Sequence, residues 1–338
     1  MKVSLGVWGK RTLIGMAALC VCVSCSVEET IEVLGNRSQA PVFLGCRAAS
    51  GQTLQFRFSQ PVEVLSFIAN PPLPVESVEN GEVVQVNLSA GIPGGEPYTA
   101  DILVKDEGGN TLNVLIPFRS RNERLPRLLI NELRTEYSKP KTEYVELKTL
   151  EAGDLGALRL FIPGNTKTPM VFEFPPAEVA AHQYIVIHLR TVEDGVVNET
   201  GGDPSLSGGA DTAVNSWDFW IPNSEKLLHK TDVVYLMDQD DNIIDAVMMS
   251  ENPDPWWTKD HFVEAADLLY RQEAWASADG EIPGPADAVV TFNIKTAMTR
   301  SISRDETVPD SNGAADWYIT ATSGATPGTV NNAKRFEE

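Results

Sequence analysis

The chain has 338 residues, 42% of them hydrophobic and 22% charged, and its formal net charge is −20. That balance fits a packed body of about two domains and excludes a disordered chain. No run of 18 or more apolar residues occurs, which excludes a bundle of membrane-spanning helices. The acidity argues against a nucleic-acid binder, which must neutralise phosphates with Lys and Arg.

Residues 1–24 read as an export signal: Lys2, Lys10 and Arg11 precede the apolar stretch Leu13 to Val23, which is too short to span a bilayer. The stretch ends in Cys22-Val23-Ser24-Cys25, a small residue directly before a cysteine. This resembles the lipobox of bacterial lipoproteins, and the resemblance implies cleavage before Cys25 and acylation of its thiol. An ordinary cleaved signal without lipid is the alternative. Cleavage removes three positive charges and leaves −23. Segment 25–37 is then a linker that holds the acidic body off the bilayer, reaching about 40 Å when extended. Cys20 and Cys22 leave with the signal, so Cys46 alone remains and no intramolecular disulfide is expected; the local sequence offers it no base, and it reads as a buried thiol.

The rest of the chain is a series of short alternating runs separated by Gly, Pro, Asn and Asp, which predicts an all-β fold of two Ig-like β-sandwich domains. The first is expected over 38–120. Its clearest signal is a hairpin about Gly108, where Tyr98, Ala100, Ile102 and Val104 face Phe118, Ile116, Val114 and Leu112, so that one register buries all four pairs. The strand Tyr98 to Asp106, the Gly108-Gly109-Asn110 turn and the closing Ile116-Pro117-Phe118 resemble a bacterial Ig-like domain of surface-layer proteins. A junction follows with four arginines, Arg119, Arg121, Arg124 and Arg127. They suit either an anionic partner or pairing with the protein's own carboxylates.

The second domain is expected over 127–334. It opens with Ile130-Asn131-Glu132, continues through Glu143-Tyr144-Val145-Glu146-Leu147 and the hairpin ending Asn242-Ile243-Ile244-Asp245, and closes with Ser301-Ile302-Ser303-Arg304 and Thr326-Pro327-Gly328-Thr329-Val330-Asn331. This order resembles the lamin tail domain of secreted bacterial proteins, which implies an Ig-like sandwich acting as a scaffold or binding module without catalytic residues. Two insertions interrupt it. Segment 191–220 reads as a long loop rich in Gly, Asp and Ser. Segment 251–287 carries an amphipathic helix with Phe262, Ala265, Ala266 and Leu269 on one face and Thr258 or Asp260 as cap.

Asp238, Asp240 and Asn242 open like a calcium loop, but Ile243 and Met249 stand where an EF-hand needs Gly and a carboxylate. Asp106 and Asn110 share that spacing, which favours a turn device in which side chains bond local amides; calcium is the lesser reading, and no other cofactor is expected. Trp217 and Trp220 end one insertion and Trp256 and Trp257 begin the helical one. These four are the candidate ligand-binding residues, either stacking on sugar rings or anchoring a protein partner; the alternative is that they pin the insertions to the core. Glu132, Glu136, Glu143 and Glu146 raise the question of paired catalytic carboxylates, but Glu143 and Glu146 fall on opposite faces of a strand. His182, His188, His229 and His261 lack metal spacing.

The sequence therefore predicts a lipid-anchored protein of the cell envelope, in the outer membrane at its periplasmic or outer face, that binds or adheres and does not catalyse. Its expected partners are the membrane, through the lipid, and a glycan or protein ligand; nucleic acid is disfavoured. A hydrolase, or an accessory subunit of one, acting on glycan or nucleic acid is the first alternative, and a structural spacer without ligand is the second.

Overall fold

The computed structural model describes residues 39–164, 169–213, 215–292 and 299–337. The signal segment, the linker up to residue 37 and the expected acylation at Cys25 lie outside them. The described chain is all-β and folds as two strand-built units.

The first unit comprises β1 (Phe43–Ser50), β2 (Thr53–Asn70), β3 (Val75–Glu79), β4 (Gly81–Leu88), β5 (Pro97–Asp106) and β6 (Thr111–Arg119). The sheet order is β3-β4-β2-β5-β6, with β1 also on β2. The eighteen residues of β2 pair with different strands along their length: Thr53 to Arg57 pair with β4 and β1, and Val62 to Asn70 pair with β5. Pairing with β4 breaks between Arg57 and Val62, where Pro61 has no N–H to donate. The bend brings Phe56, on the first half, edge-on against Phe67 on the second half and Phe118 on β6. The β5–β6 hairpin adopts the register read from its apolar pattern, Val104 opposite Leu112 through Tyr98 opposite Phe118.

The second unit comprises β7 (Leu128–Arg134), β8 (Tyr144–Thr149), β9 (Gly153–Asp154), β10 (Arg159–Ile162), β11 (Met170–Glu173), β12 (Glu178–Val179), β13 (Tyr184–His188), β14 (Ser216–Trp220), β15 (Asp232–Met237), β16 (Ile243–Ser250), β17 (Val289–Val290), β18 (Ile302–Arg304) and β19 (Trp317–Ile319). One sheet runs β11-β10-β15-β16-β17 and the other β14-β13-β8-β7-β18-β19, with β9 and β12 as a small extra pair. Leu133, Val145, Ile187 and Phe219 face one side of the second sheet and meet Leu160, Val234 and Leu236 from the first in a single apolar core.

Helix α1 (Asp260–Arg271) buries the four expected residues, Phe262, Ala265, Ala266 and Leu269. The capping expectation is corrected: Lys259 occupies the N-cap, and no side chain caps it. The expectation of a pure loop over 191–220 is also corrected. Its last five residues form β14, parallel to β13 and buried throughout. The polar-apolar alternation of Ser216-Trp217-Asp218-Phe219 is there, but it lasts only four residues before Trp220 and follows a Gly- and Asp-rich stretch, so the run reads as the end of a loop.

Candidate functional site

The junction arginines meet carboxylates of this same chain: Arg119 pairs with Glu173, Arg121 with Asp240, Arg124 with Glu178 and Arg127 with Glu151. The polar centre of the junction is Asn122, which is buried. Its Nδ2 donates to the carbonyls of Asp154 (2.7 Å) and Gly156 (2.9 Å), and its backbone N–H donates to Gln239 Oε1 (2.7 Å). Arg119–Glu173 bridges the two units, Arg121 and Arg124 tie the junction to the second, and Arg127 pairs within the second; together the pairs leave little charge for an outside anion.

The Asp-x-Asp-x-Asn segment follows the turn reading. Asp238 accepts from the backbone N–H of Asp240 and Asn242 and from Asn242 Nδ2 (2.8–2.9 Å). Asp106 accepts the same two bonds from Asn110 in the first unit. Asp240 points instead to Arg121, at 2.9 and 2.5 Å. Among the described residues no group of three or more His, Cys, Asp or Glu is placed to hold a metal.

The carboxylates and His188 lie on the outer face of the β14-β13-β8-β7-β18 sheet. That face is covered, so it is polar yet buried. Glu132 and Glu146 are opposite one another across β7 and β8, and both are fully buried. Glu132 accepts from Tyr144 Oη (2.5 Å), Ser301 Oγ (2.5 Å), Ser303 Oγ (3.0 Å) and Thr326 N (3.0 Å). Among the described residues Glu146 accepts from Asn131 Nδ2 (2.8 Å) and Gly328 N (2.6 Å). Burial raises both, and the charge on Glu132 further raises Glu146, so the pair's proton belongs on Glu146, which has fewer donors to stabilise an anion. The Thr326 to Asn331 segment is thus strapped across the sheet, with Asn331 Nδ2 donating to the carbonyls of Asn131 and Arg304.

His188 sits between Thr142 Oγ1 (3.2 Å) and Asp218 Oδ1 (2.6 Å), with the Trp220 ring stacked on it at 3.8 Å. Burial lowers His188 to about 3 and raises Asp218 to about 7, so the imidazole is neutral at pH 7 while the carboxyl is in mid-titration and becomes fully protonated only below that. This hydroxyl, imidazole and carboxyl set has the membership of a nucleophilic triad, but His188 is fully buried beneath the 191–215 loop, which Glu199 pins by accepting from Ser207 N and Asp218 N.

The four candidate tryptophans separate. Trp217 faces the core and donates to Gln183 Oε1; Trp220 lies under the loop and donates to Ser207 Oγ. Both are buried, which corrects their assignment as ligand platforms: their ring faces are already covered. Trp257 packs on Phe262 at 5.4 Å and donates to the Pro283 carbonyl (3.0 Å). Trp256 is 78% exposed.

Trp256 stands over a pocket of about 500 Å³ at the end of the sandwich where β15 begins and β16 ends. Lys226, Lys230 and Glu136 line it together with Glu251, Asp254 and Lys259. Lys226 lies 3.2 Å and Lys230 3.7 Å from Glu136, and Lys230 is 3.7 Å from Glu251. His229, also in the lining, is held below its ordinary pKa by burial and by the nearby Lys226 and Lys259. Its Nδ1 has no hydrogen-bond partner among the described residues. Of these groups the sequence singled out the tryptophans as ligand-binding, and named Glu136 and His229 only to set them aside as catalytic or metal residues. The lysines and acids arrive from three separate connections, and no local pattern links them.

A family model described as TP_1001 protein second domain matches residues 126–319. The chain belongs to that family. The match covers the strands of the second unit, β7 to β19, and with them the pocket. An uncharacterized protein of Treponema pallidum (strain Nichols) is 25% identical over 181 residues, or 50% of this chain and 45% of that protein. The chain thus matches less than half the length of that curated relative. Among solved structures, the N-terminal part of the bacterial S-layer protein SbsC aligns over 47% of this chain and 42% of that one, at 15% identity and a TM-score of 0.26.

Proposed function

We propose that this is a lipid-anchored protein of the bacterial cell envelope, held in the outer membrane through Cys25, that presents a lamin-tail-like sandwich as a non-catalytic binding or adhesion module. The observation that carries the binding role is Trp256, an indole 78% exposed above a polar pocket on a rigid sheet end. Exposed large rings at pocket mouths are what binding surfaces use and what stability alone does not require. The burial of Glu132, Glu146, His188 and Asp218 supports binding over the hydrolase alternative, since the groups suited to proton transfer are enclosed in structural bonds.

The test joins anchoring to location. Cells given radioactive palmitate should label the wild-type protein, and Cys25→Ala should abolish the label and move the protein from the membrane to the soluble fraction. Unlabelled wild-type protein would overturn the anchor. Protease added to intact cells then distinguishes the outer from the periplasmic face.

A further inference from the structure

We infer that the Trp256 pocket takes an uncharged carbohydrate chain. This names the ligand class of the site proposed above and rests on that reading.

The platform comes first. A sugar ring has an apolar C–H face and a polar rim, so it needs a flat aromatic surface beside mixed donors and acceptors. Trp256 supplies the surface, and its neighbours hold the backbone that carries it. Trp257 is tied to Pro283 O and packed on Phe262. The backbone of Pro255 runs so close to Gly284 that a Cβ there would lie 2.6 Å from Pro255 O. The backbone on either side of the exposed indole is therefore held, so binding has to order the Trp256 side chain but not the segment that carries it.

The polar rim comes second. Lys226, Lys230 and Thr231 offer donors, and Glu136, Glu251 and Asp254 offer acceptors, all around one opening. Hydroxyl groups, which donate and accept at once, match such a mixture.

Charge decides the class. Three lysines and three carboxylates line the pocket, and His229 is neutral, so its formal charge sums to zero on a chain of −20. Lys226 and Lys230 are already engaged by Glu136 and Glu251, and the third lysine, Lys259, lies over the Phe262 ring at 5.4 Å, so no cluster of cations is held ready for a carboxylate or sulfate. A polyanion would also approach against the field of the whole molecule. A protein hot spot is the weaker fit. It would bury these charged groups along with the ring, and buried charges are costly unless each is paired anew. The volume of about 500 Å³ accommodates a short stretch of sugar rings and lies inside the usual range of about 300–1,000 Å³ for ligand pockets.

The test is calorimetric titration of the whole protein, extracted in mild detergent, with chitohexaose and laminarihexaose as neutral chains and hexagalacturonate as the acidic one, together with selection from a phage-displayed peptide library. At least one neutral chain should bind. Its affinity should be insensitive to salt and should fall about tenfold or more in Trp256→Ala, with an unchanged melting temperature; Trp256→Phe should retain most of it. Salt-sensitive preference for hexagalacturonate, or peptide enrichment, lost in Trp256→Ala, would overturn the ligand class and leave the binding site standing. Binding to any probe that is indifferent to Trp256, or no binding by either neutral chain, would overturn the inference. Indifference to Trp256 would also remove the pocket from the proposed function.

Discussion

Asn331 illustrates what a single side chain decides here. It is buried, and its amide serves the carbonyls of Asn131 and Arg304. Asn331→Ala leaves both without that donor and should cost about 2–3 kcal/mol, read as a lower urea midpoint. Gly95 decides by its lack of a side chain. It sits at φ +75°, and an added Cβ would lie 2.5 Å from the Cα of Gly156 in the other unit. Gly95→Ala should cost more than about 1 kcal/mol, because the backbone penalty and the clash add. The adjacent tryptophans give opposite expectations. Trp256→Ala removes an exposed ring and should leave the melting temperature unchanged. Trp257→Ala removes a ring packed on Phe262 and a hydrogen bond to Pro283, and should lower it clearly.

At the scale of elements, α1 contributes through one face. Leu269 is fully buried in the main core, and Leu269→Ala should cost about 2–5 kcal/mol by thermal or urea denaturation. Its amphipathic period was legible because only one side of the helix packs. β14 was hard to read because its alternation spans only Ser216 to Phe219 at the end of a Gly- and Asp-rich stretch; in the structure Trp217 and Phe219 face the core and Glu199 of the preceding loop binds Asp218 N. The junction shows a third case. Four arginines in a short stretch drew attention, but Arg124 and Arg127 are about two-thirds exposed, and replacing either with Ala should leave the melting temperature unchanged. Asn122, which carries the buried contacts between units, has no neighbour in sequence that marks it.

For the whole molecule, pH sets the balance. Burial raises Asp218 and Asp232 to about 7 and Asp245 to about 6. An unfolded Asp titrates near 3.9, so the folded state holds these protons more tightly. Their contribution is complete below about pH 4 and is lost as pH rises through 6 to 7. His188 acts in the opposite sense: lowered to about 3 from 6.5, it removes stability as pH falls through that interval. Three carboxyls outweigh one imidazole, and the net charge of −20 adds self-repulsion at higher pH. The melting temperature should therefore fall from pH 5 to pH 8 in a fluorimetric series, and Asp232→Asn should flatten that fall. A rise over the same range would contradict the protonation states assigned here.

The all-β class, the hairpin register about Gly108, the buried face of α1 and the turn role of the Asp-Asn pairs were all legible along the chain. Each depends on residues near one another in the chain or on a period that a single covered face imposes. Folding in three dimensions is what lets Glu132 and Glu146 strap the Thr326 to Asn331 segment, puts Trp220 and His188 under a loop, and gathers Trp256, Lys226, Lys230 and Glu136 around one pocket at the end of the sandwich. Those groups are separated by tens to nearly two hundred positions. Their meeting follows from which sheet faces are covered and which connections converge, and neither is written in a local pattern.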